Sequence, residues 1–184
     1  MTTSPEEIIN FWFSDKSKPL WFNSTTDFDN QIKTQFESVW EDAVAKKAYI
    51  EKWRESAQGS LALIIVFDQF PLNMYRNQAK SFQSESLAIE TARNAINLGH
   101  DKLLKNEQLA FLYLPFMHSE DLADQNLSVK LFDAADLTEN ARFARHHRKI
   151  IEDFGRFPHR NEILGRESSK DELAYLNSDE AFTG

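Results

Sequence analysis

The chain has 184 residues, a length that fits one domain with a substantial buried core. Its formal net charge is −8, which argues against nucleic-acid binding because such binding needs a basic face. It has no Cys, which excludes disulfides, thiolate metal sites and a Cys nucleophile.

Two features that the sequence lacks, a membrane span and a signal peptide, indicate where in the cell to expect the protein. No apolar run is long enough to span a membrane, and Met1 to Glu7 lacks the basic and apolar regions of a signal peptide. The lack of Cys suits a reducing interior. We therefore expect a cytoplasmic protein with no membrane partner.

The N-terminal part is predicted to be helical. Ser4, Pro5 and Glu7 form the capping pattern that opens a helix. A loop is expected over residues 14–25, and a shorter helical piece near residues 49–54. Between them the pattern predicts a long amphipathic helix with these apolar residues at helical spacing: Phe28, Ile32, Phe36, Val39, Trp40 and Ala43.

The run from Leu61 to Phe67 is apolar on every side, which predicts a helix that is buried all round. A buried parallel strand would show the same run, but helical patterns surround it and no second run could pair with it. We expect this central helix over about residues 60–70, with Ser60 as its cap. Pro71 is predicted to stop it, because proline has no N–H to continue the ladder.

The C-terminal half is also predicted to be helical. Helices are expected from Phe82 to a C-cap at Gly99, from Asn106 with an interruption at Pro115, from a cap at Ser119 to about Asp136, from Thr138 to Gly155, near Asn161, and from a second capping box at Ser169–Glu172. Short connections make consecutive helices antiparallel neighbours. The sequence therefore predicts one all-α domain, residues 1–184, built from stacked helical hairpins.

Charge is distributed unevenly along the chain. Eight Lys and Arg stand against four Asp and Glu between residues 142 and 170, although the whole chain is acidic. Within that segment Arg156, His159, Arg160 and Arg166 lie within eleven residues, and Asn161 could accept a hydrogen bond there. Arg suits bidentate recognition of carboxylate or phosphate. The alternative is that these residues pair with Asp and Glu and hold the C-terminal turns in place.

His147 lies on the apolar face of the last long helix, which is predicted to comprise Phe143, His147, Ile150, Ile151 and Phe154. It could be a buried imidazole bonded to a backbone carbonyl. It could instead line a cleft, where burial and a nearby acid would tune its protonation.

Two further places along the chain have acidic residues that are candidates for the functional site. Asp68 stands at the C-terminal end of the central helix, where it opposes the helix dipole, so we expect a cationic partner, with Arg76 the nearest. His118 is followed by Glu120 and Asp121, but their spacing matches no defined metal site, and N-capping explains the acids. We expect no metal and no cofactor.

Three long sequence blocks stand out along the chain. The blocks are Asp68-Gln69-Phe70-Pro71 with Asn73, Tyr75 and Arg76; Tyr113-Leu114-Pro115-Phe116-Met117-His118-Ser119-Glu120-Asp121; and Phe154-Gly155-Arg156-Phe157-Pro158-His159-Arg160-Asn161 with Leu164, Gly165 and Arg166. Together they resemble the signature of the bacterial domain-of-unknown-function 924 family. Leu72 and Asn77 depart from the resemblance, which leads us to expect a basic residue and a Gly there. The resemblance implies a tetratricopeptide-like helical array around the central helix, and it implies no activity.

Three hypotheses for function follow. The first is a cleft that binds a small anionic ligand through Arg and His, with Asp68, Glu120 and Asp121 orienting them. The second is a protein- or peptide-interaction scaffold, since helical repeat arrays often bind peptides. The third is an enzyme in which His147 or His118 acts as general base beside a carboxylate. The sequence indicates neither a substrate nor an oligomeric state.

Overall fold

Residues 3–182 are described in a computed structural model of the protein, and they contain α-helices but no β-strand. The all-α prediction is confirmed. Ten helices are numbered in chain order: α1 Pro5–Trp12, α2 Thr26–Val44, α3 Ala48–Glu51, α4 Ala57–Ile64, α5 Phe70–Met74, α6 Glu85–Asn97, α7 Asn106–His118, α8 Leu122–Ala134, α9 Thr138–Phe154 and α10 Lys170–Leu176.

The chain divides into two compact units. Of the described residues, 3–76 and 80–115 belong to the first unit, and 77–79 and 116–182 belong to the second. The single-domain assignment for residues 1–184 stays a prediction, as does the tetratricopeptide-like arrangement. No helix within residues 3–182 is long and apolar enough to cross a membrane.

Both predicted capping boxes are confirmed. The Ser4 hydroxyl accepts from the Glu7 N–H, and the Glu7 carboxylate accepts from the Ser4 N–H at 2.7 Å. Ser169 and Glu172 make the same reciprocal pair at the start of α10. These motifs depend only on residues three apart, so the local sequence is enough to specify them.

Two other caps differ from the prediction. Ser56, not Ser60, caps α4, because Ser60 lies one turn inside the helix and its buried hydroxyl contacts His100 Nδ1 at 3.1 Å. Asp121, not Ser119, caps α8, and its carboxylate accepts from two backbone N–H groups. The Ser119 hydroxyl is already engaged by the Asp121 N–H.

The central helix does not stop at Pro71, as predicted, but continues to Met74. A π-helical turn over Ile65–Gln69 joins α4 to α5, so the Phe70 N–H donates to the Ile65 carbonyl, five residues back. All residues from Leu61 to Phe70 are buried. The wider turn accommodates proline because Pro71 need not donate to the Phe67 carbonyl, four residues back.

Ser84 from the loop before α6 satisfies that open carbonyl. Its hydroxyl donates to Phe67 O at 2.6 Å and accepts from Trp40 Nε1 at 2.9 Å. Ser84 is fully buried, so no water can replace it there. One hydroxyl thus compensates for the hydrogen bond that Pro71 cannot make.

Helix α7 likewise continues through Pro115 to His118, contrary to the predicted interruption. Every residue from Phe111 to Met117 is buried. Burial of this continuous apolar segment outweighs the local cost of a proline, which is how tertiary context overrides propensity.

The core of the first unit is aromatic. The ring centroids of Phe36 and Phe70 lie 4.8 Å apart in a stacked pair, and Trp12 meets the edge of Phe111 at 5.7 Å. Other rings in the cluster are Phe11, Phe13, Trp21 and Phe28. Eight of the 15 Phe of this chain are buried, as expected of large apolar rings.

The second unit is built on the hairpin of α8 and α9, which pack against each other. Its small apolar core consists of Ile150, Ile151 and Phe157. Side chains from the C-terminal segment, Tyr175 and Phe182, pack against this core. The end of the described chain is therefore part of this unit's structure.

We expect Ser84→Ala to lower the free energy of unfolding by about 2 to 4 kcal/mol, because it leaves a buried carbonyl and the Trp40 N–H without partners. Urea denaturation measures the change. Ser86→Ala is the matched control, since Ser86 is exposed two residues further along, and it should change stability by less than about 0.5 kcal/mol. Equal effects of the two substitutions would contradict this role for Ser84.

Candidate functional site

The candidate site surrounds residues 117–120, between α7 and α8, a segment that we call the 117–120 turn. Its three successive carbonyls are all engaged. Gln125 Nε2 donates to Met117 O at 2.8 Å and to Ser119 O at 2.7 Å, and an Arg160 guanidinium nitrogen donates to His118 O at 2.9 Å. Helix C-termini leave such carbonyls open, and these two buried side chains satisfy them.

Glu120 joins this turn to the third sequence block. Its carboxylate accepts from the Phe157 N–H at 2.8 Å and from both terminal nitrogens of Arg166, at 2.7 and 2.9 Å. Burial alone would raise the pKa of Glu120, but the hydrogen bonds from Arg166 and Phe157 outweigh it and the pKa is lowered. Glu120 is therefore an anion held by three donors.

Asn161 fixes Arg166 from the other side. Arg166 Nε donates to the Asn161 side-chain oxygen at 2.9 Å, and the Arg166 N–H donates to the Asn161 carbonyl at 2.7 Å. The Asn161 amide nitrogen in turn donates to the Ser168 hydroxyl. Buried Asn161 and half-buried Arg166 thus form one network with Glu120.

Arg156 makes a separate ion pair. Its guanidinium donates to the two carboxylate oxygens of Glu172 at 2.6 and 2.9 Å, and to the Glu167 carbonyl. The hydrogen bond from Arg156 lowers the pKa of Glu172 to about 2. An open hollow of about 280 Å³ beside the pair has Asp153 and Asp171 in its lining. Three carboxylates around one guanidinium do not favour an anion there.

His147 is buried on α9, and its Nδ1–H donates to the Phe143 carbonyl at 2.9 Å. Burial, opposed by that hydrogen bond, lowers the pKa of His147 to about 3, so the imidazole is neutral at pH 7. Phe143 itself is 45% exposed and does not share the buried face, contrary to prediction. Its position near the start of α9 places it beside Arg142, whose guanidinium lies 4.6 Å from the ring centroid.

His159 has a nitrogen that the fold does not use. Its Nδ1 is buried and has no hydrogen-bond partner within residues 3–182. Burial lowers the pKa of His159 to about 4, with Arg160 acting in the same direction and Glu120 opposing it. A buried polar atom without a partner is rare in native proteins and marks a place where a water or ligand binds.

The imidazoles share two phenylalanine neighbours. The Phe157 ring centroid lies 5.6 Å from that of His147 and 5.5 Å from that of His159. Phe182 lies 4.4 Å from His147 and 5.2 Å from His159. We call this group, with Arg160, whose guanidinium stacks on Phe157, the histidine cluster. His118 lies close enough to disfavour protonation of both imidazoles.

Sequence reasoning missed Phe182 and Gln125. Phe182 lies in a C-terminal stretch with no periodic pattern, so nothing in the sequence indicates its packing. Gln125 could have been noticed as a polar residue on the side of α8 that is buried, one turn after the Asp121 cap.

Asp68 and Arg76 belong to the first unit, and they do not form the predicted pair. Arg76 contacts Asp29 instead, through two hydrogen bonds of 2.9 and 3.2 Å, because Asp29 on α2 lies within reach of its guanidinium. Asp68 accepts from the Gln69 side chain at 2.6 Å. Within the described residues, no three His, Asp or Glu side chains group closely enough to hold a metal ion.

Comparison with known proteins identifies relatives but no activity. A family model of bacterial proteins of unknown function, DUF924, matches residues 8–180. The solved structure of a protein of unknown function from Agrobacterium tumefaciens has the same fold, with a TM-score of 0.88 and 37% sequence identity. That match covers 94% of this chain and 96% of the other. The comparison with curated proteins found no match.

We expect Arg166→Met to lower the free energy of unfolding by about 2 to 4 kcal/mol, because it removes two charged hydrogen bonds from Glu120. Arg145→Met is the matched control: Arg145 also contacts both oxygens of a carboxylate, that of Asp133, but at the exposed surface. Its loss should cost less than about 1 kcal/mol. Denaturant titration of both variants would contradict the role of Arg166 if the two losses were equal.

The histidine cluster should make stability depend on pH. Between about pH 6.5 and 3 the unfolded chain binds a proton at residue 147 that the folded protein does not, since the folded pKa of His147 is about 3. Stability therefore falls as the pH falls through this range, by about 1 kcal/mol per pH unit for this residue. His147→Gln should flatten the profile measured by urea denaturation, whereas parallel profiles would show that His147 is not responsible.

Proposed function

The chain belongs to the DUF924 family of bacterial proteins of unknown function, and from that premise we propose that its second unit binds a small anionic ligand at the histidine cluster. The acidic group of the ligand would contact His159 Nδ1, in the field of Arg160. This is a narrower form of the anion-binding hypothesis that the sequence suggests.

The buried, unused nitrogen of His159 is the observation that carries this proposal. An unsatisfied buried polar atom costs about 1–3 kcal/mol, so a ligand atom that bonds to it recovers stability. Other imidazole nitrogens in the cluster are already bonded within the fold. His147 Nδ1 donates to a carbonyl, for example, and cannot serve a ligand without breaking that bond.

The electrostatics of the cluster favour an anion. His147 and His159 are neutral at pH 7, so Arg160 supplies a permanent positive charge beside His159; after burial, that charge is the next cause of the lowered pKa of His159. An anionic group at His159 Nδ1 would be attracted by the charge of Arg160. Binding would also raise the pKa of His159 and draw a proton onto it as the pH falls.

Arg156 and Arg166 are not needed for this proposal. Each guanidinium is held by its own carboxylate, from Glu172 and Glu120 respectively, and an external anion would have to displace a bidentate partner. We assign these two ion pairs, with Asn161, to the support of the site. Asp121 supports it as the cap of α8.

A protein- or peptide-binding scaffold of tetratricopeptide-like type is the second candidate. Apolar side chains at the surface of the first unit favour it: Phe22 is 80% exposed and contacts the ring of Trp21, which in turn contacts Phe13. Contiguous apolar surface of this kind is typical of protein-binding sites. We do not extend the enzyme hypothesis to His147, because an imidazole with a pKa of about 3 is a weak general base.

The test is thermal denaturation of the whole chain with inorganic phosphate, nucleotides and carboxylates of different size. A ligand present at 100 times its dissociation constant adds about 2.7 kcal/mol and raises Tm. His159→Phe should keep or raise the basal stability, because it removes the unsatisfied nitrogen and retains a ring, and it should abolish the response to the ligand.

His146→Phe is the control, since it makes the same substitution at a neighbouring, half-buried imidazole. It should leave the response to the ligand in place. A panel in which no anion raises Tm, or a response that survives His159→Phe, would overturn the proposal.

A further inference from the structure

We propose that the ring of Phe182 occupies the position at which an aromatic group of the ligand binds, and that the ligand is a small aromatic carboxylate. We call this position, beside His147 and His159, the aromatic seat. This inference rests on the proposed function, since it names the ligand of the same histidine cluster. The C-terminal segment that carries Phe182 would then block the site in the free protein and move away when the ligand binds.

Phe182 shows what shape the seat accepts. Its ring meets two imidazoles edge-on, with centroid distances of 4.4 Å to His147 and 5.2 Å to His159. Edge-to-face contacts of this kind are typical of aromatic pairs. Phe157 packs on the same two imidazoles and completes the aromatic surroundings. A planar ring is therefore the group that fits here.

The acidic part of the ligand follows from the neighbours of this seat. His159 contacts Phe182 and also carries the buried nitrogen without a partner, so a ring in the seat places a short acidic substituent within reach of that nitrogen. Arg160, adjacent in the chain, supplies positive charge. One ring with a carboxylate one or two bonds away matches both features.

The segment that carries Phe182 is held mainly by short-range hydrogen bonds. The Phe182 N–H donates to the Tyr175 hydroxyl at 2.8 Å, the Ala181 N–H to the Ser178 carbonyl, and the Ser178 N–H to the Tyr175 carbonyl. Residues 177–180 are exposed. These bonds run to residues within seven positions in the chain, so movement of the segment would cost mainly the packing of Phe182 against the core of Ile150, Ile151 and Phe157.

Competition between Phe182 and the ligand has a measurable consequence. If the ligand binds only to molecules in which Phe182 has left the seat, its apparent affinity is the intrinsic affinity multiplied by the fraction of such molecules. Removing the ring should raise the affinity for a ligand that brings its own ring. It should not raise the affinity for a ligand that has none.

The experiment compares the unchanged chain with Phe182→Ala, both at full length, by calorimetric titration with three probes. Phenylacetate has a ring and a charge, benzyl alcohol has only the ring, and acetate has only the charge. We expect phenylacetate to bind Phe182→Ala at least about tenfold more tightly than the unchanged chain. Acetate should show no such gain, and benzyl alcohol should bind Phe182→Ala at least about tenfold more weakly than phenylacetate.

Tyr175→Phe provides a second variant that leaves the ring in place. It removes the hydroxyl that holds the Phe182 N–H, so the cover loosens and phenylacetate should bind about two- to tenfold more tightly. If Phe182→Ala does not fold, this variant decides the question. Equal affinities for phenylacetate in the unchanged chain and the tested variant would overturn the proposal that Phe182 occupies the position of a ligand ring.

The probes also separate this inference from the function on which it rests. If benzyl alcohol binds Phe182→Ala as tightly as phenylacetate, the aromatic seat is supported and the anion site at His159 is overturned. If acetate binds all variants equally and phenylacetate binds no better, the anion site is supported and the seat is overturned.

Discussion

The second unit depends on the carboxylate of Glu120. Three hydrogen-bond donors replace the water molecules that would surround this carboxylate in solution: the Phe157 N–H and two nitrogens of Arg166. A half-buried carboxylate keeps its charge only with such compensation, and charge-assisted bonds of this geometry are among the strongest in proteins. The residues that Glu120 joins, the 117–120 turn and the segment beginning at Phe157, carry His118, His159 and Arg160. Glu120 therefore helps to hold His118, His159 and Arg160 in the histidine cluster.

In this acidic chain, the arginines of the basic segment at residues 142–170 mainly stabilise the fold. Arg156, Arg160 and Arg166 each donate to oxygen atoms of their own unit, so a surplus of positive charge along the sequence does not amount to free positive charge at a site. What distinguishes the cluster is burial of uncharged imidazoles. Low pKa values at His147 and His159 keep both rings neutral at pH 7, as donors and acceptors of hydrogen bonds rather than as cations.

The sequence was sufficient for several local features. The capping boxes at Ser4 and Ser169 and the glycine ends at Gly99 and Gly155 depend on a few neighbouring residues. It was insufficient for the local caps at Ser60 and Ser119, where burial and neighbouring donors decide. It was insufficient where partners are distant in the chain. Glu120 and Arg166 are 46 positions apart, and no pattern distinguishes that pairing from a bond to a ligand. Residues of the site could thus be picked out by charge and type, but not their partners.

The π-helical turn over Ile65–Gln69 affects how the sequence around Pro71 must be interpreted. Such a turn holds one residue more than an α-helical turn, so every side chain after it is rotated by about 100° relative to a continuous α-helix. A helical wheel drawn straight through this helix assigns Asn73 and Met74 to the wrong side. Which side chains of this helix face the core after Pro71 therefore depends on the extra residue of the π-helical turn.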